Sequence, residues 1–437
     1  VSMVIFTVST VTSLLDNKPT EPQLNANPTQ TTVPAGITEI EAQALIEQAD
    51  KLAATYDYTG AIALLEAADG YEEVAAITDK ITQYQAADEK LVPYADIDSI
   101  THIFFHSLIV DPARAFDGDN EQDGYNLYMV TIKEFEAILQ SMYDKGYVLV
   151  SPYDIAYEVV DENGAHFEYG NIRLPEGKTP FLMSQDDVNY YGYMIGTGSG
   201  VNETPVFAST DGDGFASRIV IGEDGFPTCE YMDTNGNVTV GDYDLVPVLE
   251  KFIQSHPDFS YHGARAMLGV TGYEGVFGYR INSAVVASKG NDYWENEVAG
   301  AKAITNALRE KGYTIACYTY SNEAYAGYSV AQISNSLTSW TNEVTNVIGP
   351  VDAFVFAKTS NISDYNGNAF QTMYQSGFRY FISNADTPMT QVNPTYVRQN
   401  RLMVTGETMQ HYTSRFTGLF DCAAILEVNI RGDVVKS

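Results

Sequence analysis

From Pro93 onward, apolar segments of strand length alternate with segments of helical periodicity, and this alternation limits the fold more than any other feature. The apolar segments are rich in aromatic and β-branched residues, as strands are. They lie at 100–108, 147–150, 181–184, 261–270, 313–317, 352–357 and 380–383. Repeated βα units predict parallel strands, closed or nearly closed into a barrel, with chemistry at the carboxyl ends of the strands.

Local signals place several of the connecting elements. Thr131 and Glu134 form a capping box that predicts the start of a helix, and Gly146 predicts its end. The turn at 161–164 predicts a β-hairpin. A Gly- and Asp-rich segment at 196–243, with the turn signal Thr234-Asn235-Gly236, indicates β-hairpins inserted into the core fold.

Charge and cysteine content exclude several classes of function. The formal net charge is -33, and the 24 basic residues form no cluster. Because phosphate backbones and anionic lipids bind through clustered Lys and Arg, we expect no nucleic-acid partner and no membrane surface contact beyond an anchor. The 3 cysteines are far apart in sequence and predict neither a disulfide framework nor a Cys-rich zinc site.

Two further segments precede the alternating region. Residues 1–36 begin with an uncharged apolar stretch and continue with Pro, Thr and Asn, which indicates a membrane-anchor or signal remnant followed by a linker. Residues 37–95 show the spacing of paired helices and resemble one tetratricopeptide-like repeat, a candidate docking module for a protein partner. Together with the acidic remainder, they suggest a bacterial protein that is exported and held at the cell surface by its N-terminus.

The strand at 181–184 ends in two adjacent carboxylates, Asp186 and Asp187. Two ionised groups this close at a strand end need a metal ion, a shared proton or water to relieve their repulsion. The alternative is a solvated loop in which each aspartate accepts a hydrogen bond from a backbone N–H. The carboxylate pair is therefore the leading candidate for a functional site.

Two histidines on the first strand form a second candidate pair. His102 and His106 are four residues apart, so a strand places them on the same face, as a pair of metal ligands requires. The competing interpretation is that they are ordinary core or surface histidines.

The order of these elements, with the segment Ser184-Gln185-Asp186-Asp187, resembles the polysaccharide deacetylases of the NodB-homology type, carbohydrate esterase family four. The resemblance covers 96–437, interrupted by the insertion, and Phe105-His106-Ser107 is similar to a Tyr-His step on the family's first strand. It implies a distorted (β/α) barrel that removes acetyl groups from glycans. The full expectation is an α/β fold of this type with a β-hairpin insertion, preceded by a small α-helical region.

The resemblance also implies roles for individual residues. Asp186 would be the catalytic base, and Asp187 would be a ligand of zinc or a similar divalent metal ion. The family's second motif, with two metal-binding histidines, corresponds here to Tyr318, Thr319 and Asn322, so both imidazoles are lost. We expect His106 as the candidate substitute ligand, and substrate contacts from His106, His262, Tyr318 and Thr319.

These departures leave three hypotheses. The first is a barrel that binds acetylated cell-wall or dietary glycan with weak or lost metal-dependent activity, and without a metal if that activity is lost. The second is an active metal-dependent deacetylase whose ligands include Asp187 with His106, His102 or His262. The third is a surface scaffold that binds a protein partner through 37–95.

Overall fold

The computed structural model describes residues 37–162, 164–195 and 212–431. At its centre, seven parallel strands close into a barrel in which each strand pairs with the next one along the chain and the last pairs with the first. The strands are β1 (Thr101–Phe105), β2 (Thr179–Gln185), β3 (Met267–Val270), β4 (Thr314–Cys317), β5 (Ala353–Val355), β6 (Tyr380–Asn384) and β7 (Val397–Met403). The predicted distorted (β/α) barrel is confirmed.

The distortion lies along one edge of β2. A short strand, Tyr147–Leu149, pairs with the amino half of β2, where Tyr147 faces Thr179. Further along the same edge β3 takes over, with Met267 facing Ser184. The edge is therefore shared between two partners, and the short strand also bridges Ser260 before β3, so that it fills the barrel wall at the amino end.

Helices cover the outside of the barrel. The capping box at Thr131 starts α1 (Ile132–Asp144), which confirms the predicted helix. The other long helices are α2 (Leu245–Ser255), α3 (Asn291–Glu310), α4 (Val330–Ser339) and α5 (Asn368–Gln375). A π-helical turn, Trp340–Thr345, continues α4 into Asn346–Ile348. Short helices are Pro112–Ala115, Gln122–Tyr128, Pro152–Ile155, Gly192–Ile195, Val285–Lys289, Gly406–His411, Cys422–Ile425 and Val428–Arg431.

Alternation along the strands divides the apolar residues into an inner and an outer core. Outward side chains such as Phe105, Met183 and Phe354 are buried against the helices. Inward side chains such as Leu182 and Ala316 fill the barrel. This alternation also decides which polar side chains of the strands point inward, and so it determines the composition of the site described below.

Three smaller units surround the barrel. The turn at 161–164 joins Ala156–Asp161 to Gly164–Tyr169, as predicted for a hairpin. Within the expected insertion, the strands Ala216–Ile221, Pro227–Met232 and Val238–Gly241 form an antiparallel sheet. Other short strands are Val92–Pro93 paired with Arg173–Leu174, and Met389–Val392 paired with β7.

The helical region contains Glu39–Ala53, Tyr58–Glu66 and Ala75–Asp88, and it packs directly on the barrel. The Tyr56 hydroxyl donates to the carbonyl of Asp258, and Arg173 forms an ion pair with Asp88 at 2.9 Å. Its proposed partner stays a prediction. The predicted anchor and linker at 1–36 and part of the insertion, 196–211, lie outside the described residues, and within the described part no helix has the length and apolarity of a membrane span.

Candidate functional site

Asp186 lies at the carboxyl end of β2 and is completely buried together with Arg401 of β7. The guanidinium binds both carboxylate oxygens, with distances of 2.6 Å to Oδ1 and 2.8 Å to Oδ2. Arg401 also donates to the Ser184 hydroxyl and to Asn384 Oδ1. The charge of Asp186 is thus balanced inside the barrel by a cation of the protein itself.

Asp187 is held differently from its neighbour. It adopts a left-handed backbone conformation with φ of 58° and keeps partial solvent exposure. The Tyr191 hydroxyl donates to Oδ1 at 2.6 Å, and Asn322 Nδ2 donates to Oδ2 at 3.2 Å. Burial raises the pKa of Asp187 to about 7, and the nearby charge of Asp186 acts in the same direction. Asp187 is therefore a carboxyl that titrates near neutral pH.

His106 follows β1 and reaches the same end of the barrel. Its Nδ1 lies 3.2 Å from the carbonyl oxygen of Tyr128, which can only accept, so Nδ1 carries the proton. Burial lowers the pKa of His106, and the charge of Asp186 opposes that shift. The neutral ring consequently presents an unprotonated Nε2, the form that can accept a hydrogen bond or ligate a metal.

His102 does not share this position, although it points inward as expected. It is fully buried between Gln399, at 2.8 Å, and the Ser184 hydroxyl, at 3.0 Å. Burial, assisted by the charge of Arg401, lowers its pKa to about 3. These contacts make His102 a neutral core histidine.

The loop after β4 carries the three residues at the second-motif positions. Tyr318 is buried, and burial together with the charges of Asp186 and Asp187 raises the pKa of its hydroxyl well above the usual value. Thr319 is also buried, and its hydroxyl accepts the backbone N–H of Glu323. Tyr318 therefore stays a protonated phenol, and Thr319 stabilises its own loop.

Asn322 completes this loop and contacts Asp187 through its amide nitrogen. Its Oδ1 is buried and has no hydrogen-bond partner among the described residues. Nδ2 must face the carboxylate, because the reverse orientation would place two acceptors against each other. A buried acceptor without a donor costs about 1–3 kcal/mol, and because Oδ1 is shielded from solvent, a bound molecule can donate to it only when the side chain turns toward the opening.

Strained backbone is concentrated around this end of the barrel. Asp187, Thr319, Asn322, Lys358 and Thr359 all have positive φ values between 53° and 60°. Such conformations cost non-glycine residues free energy and occur often at functional sites. The exposed Lys358 follows β5, and its charge lowers the pKa of Asp187 against the larger effect of burial.

Tyrosines surround the opening. Tyr128 is 50% exposed with its ring edge against His106, and Tyr273 is 42% exposed beside Tyr191. Tyr191 in turn stacks on Tyr193 at a centroid distance of 6.2 Å. Exposed tyrosine rings on either side of a polar centre can contact the apolar faces of sugar rings while their hydroxyls bind water or ligand.

The structure does not bring His262 to this opening. His262 precedes β3, its backbone N–H donates to the carbonyl of Thr55 in the helical region, and its ring stacks on Tyr261. Asp187 follows β2, and the two strands are parallel, so these residues lie at opposite ends of the barrel. The expectation that His262 contributes to the same site is therefore corrected, since a residue before a parallel strand belongs to the amino end.

The side chains at the opening do not make a donor set for zinc. Catalytic zinc sites use three protein ligands, usually histidine nitrogens and carboxylates. Here Asp187 and the His106 Nε2 are the available donors of these types, and no group of three His, Cys, Asp or Glu suited to a metal occurs within 37–162, 164–195 and 212–431. Tyr318 remains protonated, and the Asn322 amide presents its nitrogen to Asp187.

Sequence reasoning missed two residues that define the site. Arg401 lies 215 residues from Asp186 in the sequence, and no local sequence pattern predicts that the two side chains form an ion pair. The inward-facing polar residues of β7, Gln399 and Arg401, were the available signal, because two polar side chains on the buried face of a strand require polar partners. The second missed residue is Tyr191, which looked like part of an aromatic stretch.

Comparisons with known proteins give distant similarities only. The sequence matches no protein-family model and no curated protein. Among solved structures, the Streptococcus pyogenes deacetylase PplD in complex with acetate is 12% identical, covers 73% of this chain and 95% of its own, and has a TM-score of 0.38. A de-N-acetylase from Aggregatibacter actinomycetemcomitans is also 12% identical, with coverages of 71% and 96% and a TM-score of 0.38. Similarity at this level establishes neither the family nor the activity of this chain.

Proposed function

We propose that this chain is a barrel of the polysaccharide-deacetylase type that binds acetylated glycan and has weak or no metal-dependent deacetylase activity. The observation that carries the proposal is the bidentate contact of Arg401 with Asp186, next to the Asn322 amide on Asp187. Asn322 donates to the carboxylate expected to bind the metal, and Arg401 places a fixed positive charge on the neighbouring carboxylate, the expected base.

Electrostatics supports the loss of the metal. Arg401 places a full positive charge within hydrogen-bond distance of Asp186 in a buried environment, where Coulomb repulsion between cations is screened little. The Asn322 nitrogen faces Asp187 with its own partial positive charge. A zinc ion at this position would have to displace the Asn322 nitrogen from Asp187 and approach the Arg401 guanidinium. It would gain only two ligands of the usual types from the described residues, Asp187 and His106 Nε2.

The opening still has features that suit a neutral, hydroxyl-rich ligand. Tyr128 and Tyr273 expose their rings on its rim, and Asn322 Oδ1 needs a donor. His106 Nε2 is a second acceptor, and the Tyr318 phenol retains its proton. Sugar hydroxyl and amide N–H groups match His106 Nε2, and they match Asn322 Oδ1 once its side chain turns outward, while the ring faces match the tyrosines.

The direct test is calorimetric titration of the metal-depleted protein, in a chelating buffer, with an acetylated chito-oligosaccharide. We expect saturable binding without a metal, weakened by Asn322→Leu, which keeps the volume and removes the amide. Binding that requires added zinc, or that is unchanged in Asn322→Leu, would contradict the proposal.

Release of acetate from the same oligosaccharide separates this proposal from the active-enzyme alternative. We expect little or no acetate in chelator or with added zinc. If the parent releases acetate and Asp186→Asn stops the release, the chain is a deacetylase with non-standard ligands, with Asp187 and His106 as the first candidates.

A cell-surface location belongs to the same proposal. It is supported by the uncharged start and the Pro- and Thr-containing segment within 1–36, and by the acidic character of the chain. Immunogold labelling of intact cells of the source bacterium tests it, and label confined to the cell interior would contradict it.

A further inference from the structure

A second cavity lies at the amino end of the barrel, opposite the site described above. Its volume is about 700 Å³, within the range of cavities that bind small molecules. The loop after Tyr147–Leu149 forms one wall, and the segments before β3, β4, β5 and β6 form the others. The lining residues used below are Tyr153, Asp154, Tyr261, His262, Arg309 and Asp352.

Three helical segments end at this cavity with their negative poles toward it. Helix α3 ends at Glu310, α5 ends at Gln375, and the run that begins with α4 ends at Ile348. The residues that follow these ends, Gly312, Pro350 and Gly377, line the cavity. Each helix terminus carries a partial negative charge from its free carbonyl groups, which favours a nearby cation, and at the terminus that ends at Ile348 Arg309 already supplies one.

Two carboxylates strengthen this field. Asp154 accepts the backbone N–H of Ser151 at 2.7 Å, and no Lys, Arg or His of the described chain lies within ion-pair distance of it. Asp352 accepts the Tyr153 hydroxyl at 2.7 Å. Burial raises the pKa of Asp154 to about 6, so its carboxylate is ionised at pH 8 and lacks a counter-charge.

Arg309, the arginine that lines the cavity, already binds backbone carbonyl groups. Arg309 donates to the carbonyl of Ile348 at 2.6 Å and to that of Pro350 at 3.3 Å, where it caps a helix end. Two rings of the wall are exposed: Tyr153 is 41% exposed, and the exposed His262 ring stacks on the buried Tyr261 at a centroid distance of 3.9 Å. Aromatic faces next to carboxylates are the usual surroundings of bound alkylammonium and guanidinium groups.

We propose that this cavity binds an organic cation, an alkylammonium group, with Asp154 as its principal counter-ion. The positively charged group belongs either to a small free amine or to a basic side chain of another protein. In both cases Asp154 and Asp352 bind the charged head, and the exposed ring of Tyr153 covers the alkyl part. This site is separate from the glycan site and does not depend on it.

The experiment is calorimetric titration of the full chain at pH 8 with 1,4-diaminobutane, with Nα-acetyl-lysine methylamide, and with uncharged 1,4-butanediol. We expect saturable binding of at least one ammonium probe and none of the diol. Saturation by diaminobutane alone assigns the site to free amines, and saturation by the lysine derivative assigns it to a protein side chain. Absence of saturable binding of both ammonium probes, or equal binding of the diol, would overturn the proposal.

Two variants locate the binding. Asp154→Asn keeps an oxygen that accepts the Ser151 N–H and removes the charge, so we expect at least about tenfold weaker binding. Asp352→Asn should weaken binding in the same direction and gives a second measurement if Asp154→Asn does not fold. Asp187→Asn, a matched charge removal at the opposite end, should leave the affinity unchanged. Full affinity in both Asp154→Asn and Asp352→Asn would refute the site.

Discussion

Asp186 and Asp187 are adjacent in sequence, yet their surroundings predict stability effects of opposite sign when each is replaced by Asn. Asp186 is buried with a bidentate guanidinium, whereas Asp187 receives two hydrogen bonds and no ion pair within the described chain. The pair therefore provides a matched comparison, because the substitution, the strand and the barrel end are the same.

Replacing Asp187 should stabilise the protein above neutral pH. Its pKa of about 7 lies well above the ordinary 3.8, a difference equivalent to about 4 kcal/mol at 1.36 kcal/mol per pH unit. Partial exposure of the carboxylate reduces the expected gain to about 1–3 kcal/mol at pH 8. In Asp187→Asn the Asn322 amide can turn, so that Oδ1 accepts from the new amide and gains its missing partner.

The direction of the pH dependence follows from the same shift. Between pH 3.8 and about 7 the folded state holds a proton on Asp187 that the unfolded state has released. The stability contributed by this proton is fully present below pH 3.8 and is lost as the pH rises through about 7. The advantage of Asp187→Asn should therefore be small at pH 4.5 and reach its full value near pH 8.

Replacing Asp186 should destabilise the protein instead. Asp186→Asn leaves the guanidinium of Arg401 buried without its counter-charge, which costs about 3–5 kcal/mol. The remaining contacts of Arg401, to Ser184 and Asn384, are neutral and replace only part of the interaction.

Urea unfolding in chelating buffer, followed by the fluorescence of Trp294 and Trp340, measures both effects. We expect the midpoint of Asp187→Asn to exceed that of the parent at pH 8 and to approach it at pH 4.5. The midpoint of Asp186→Asn should fall below the parent at pH 8. A loss of stability in Asp187→Asn at pH 8, or the same difference at both pH values, would refute this account of the carboxyl pair.

Three further predictions concern the site. The double variant Tyr318→His with Asn322→His should acquire zinc binding that the parent lacks, measured by calorimetry, and no gain would mean that the missing histidines are not what prevents zinc binding here. Tyr128→Ala and Tyr273→Ala should each weaken glycan binding by about 0.5–1.5 kcal/mol, whereas Tyr169→Ala, which removes a similarly exposed tyrosine from the Gly164–Tyr169 strand, should not. By NMR the His102 ring should stay neutral from pH 8 down to pH 5, because burial lowers its pKa to about 3. His166, whose pKa is raised by its contact with the Gly164 carbonyl, serves as the control and should titrate in this range. Protonation of His102 above pH 5 would contradict its buried contacts.

Elements set by local signals were predictable from the sequence. The capping box at Thr131, the turn at 161–164 and the alternation of strands and helices each depend on neighbouring residues, and the structure agrees with all of them. The strand β7 was not predicted, because Arg398-Gln399-Asn400-Arg401 lacks the apolar run of a buried strand. Two of its polar side chains, Gln399 and Arg401, are explained by the inward partners His102 and Asp186.

The location of the carboxylates was predictable, whereas their chemical state was not. A strand end places Asp186 and Asp187 at the carboxyl opening, which needs only the βα order. Their contacts depend on Arg401 of β7 and on Asn322 in the loop after β4, which are distant in sequence and are brought near by barrel closure. His262 illustrates the complementary error, since its proximity to a strand in sequence concealed that it lies at the opposite end.

We propose that protein donors occupy the place of a metal ion at this barrel opening. Titration of metal-depleted protein with zinc in a calorimeter, at pH 8, tests it most directly. The account predicts no stoichiometric binding by the parent. One zinc bound per chain, with binding lost in Asp187→Asn, would contradict the claim.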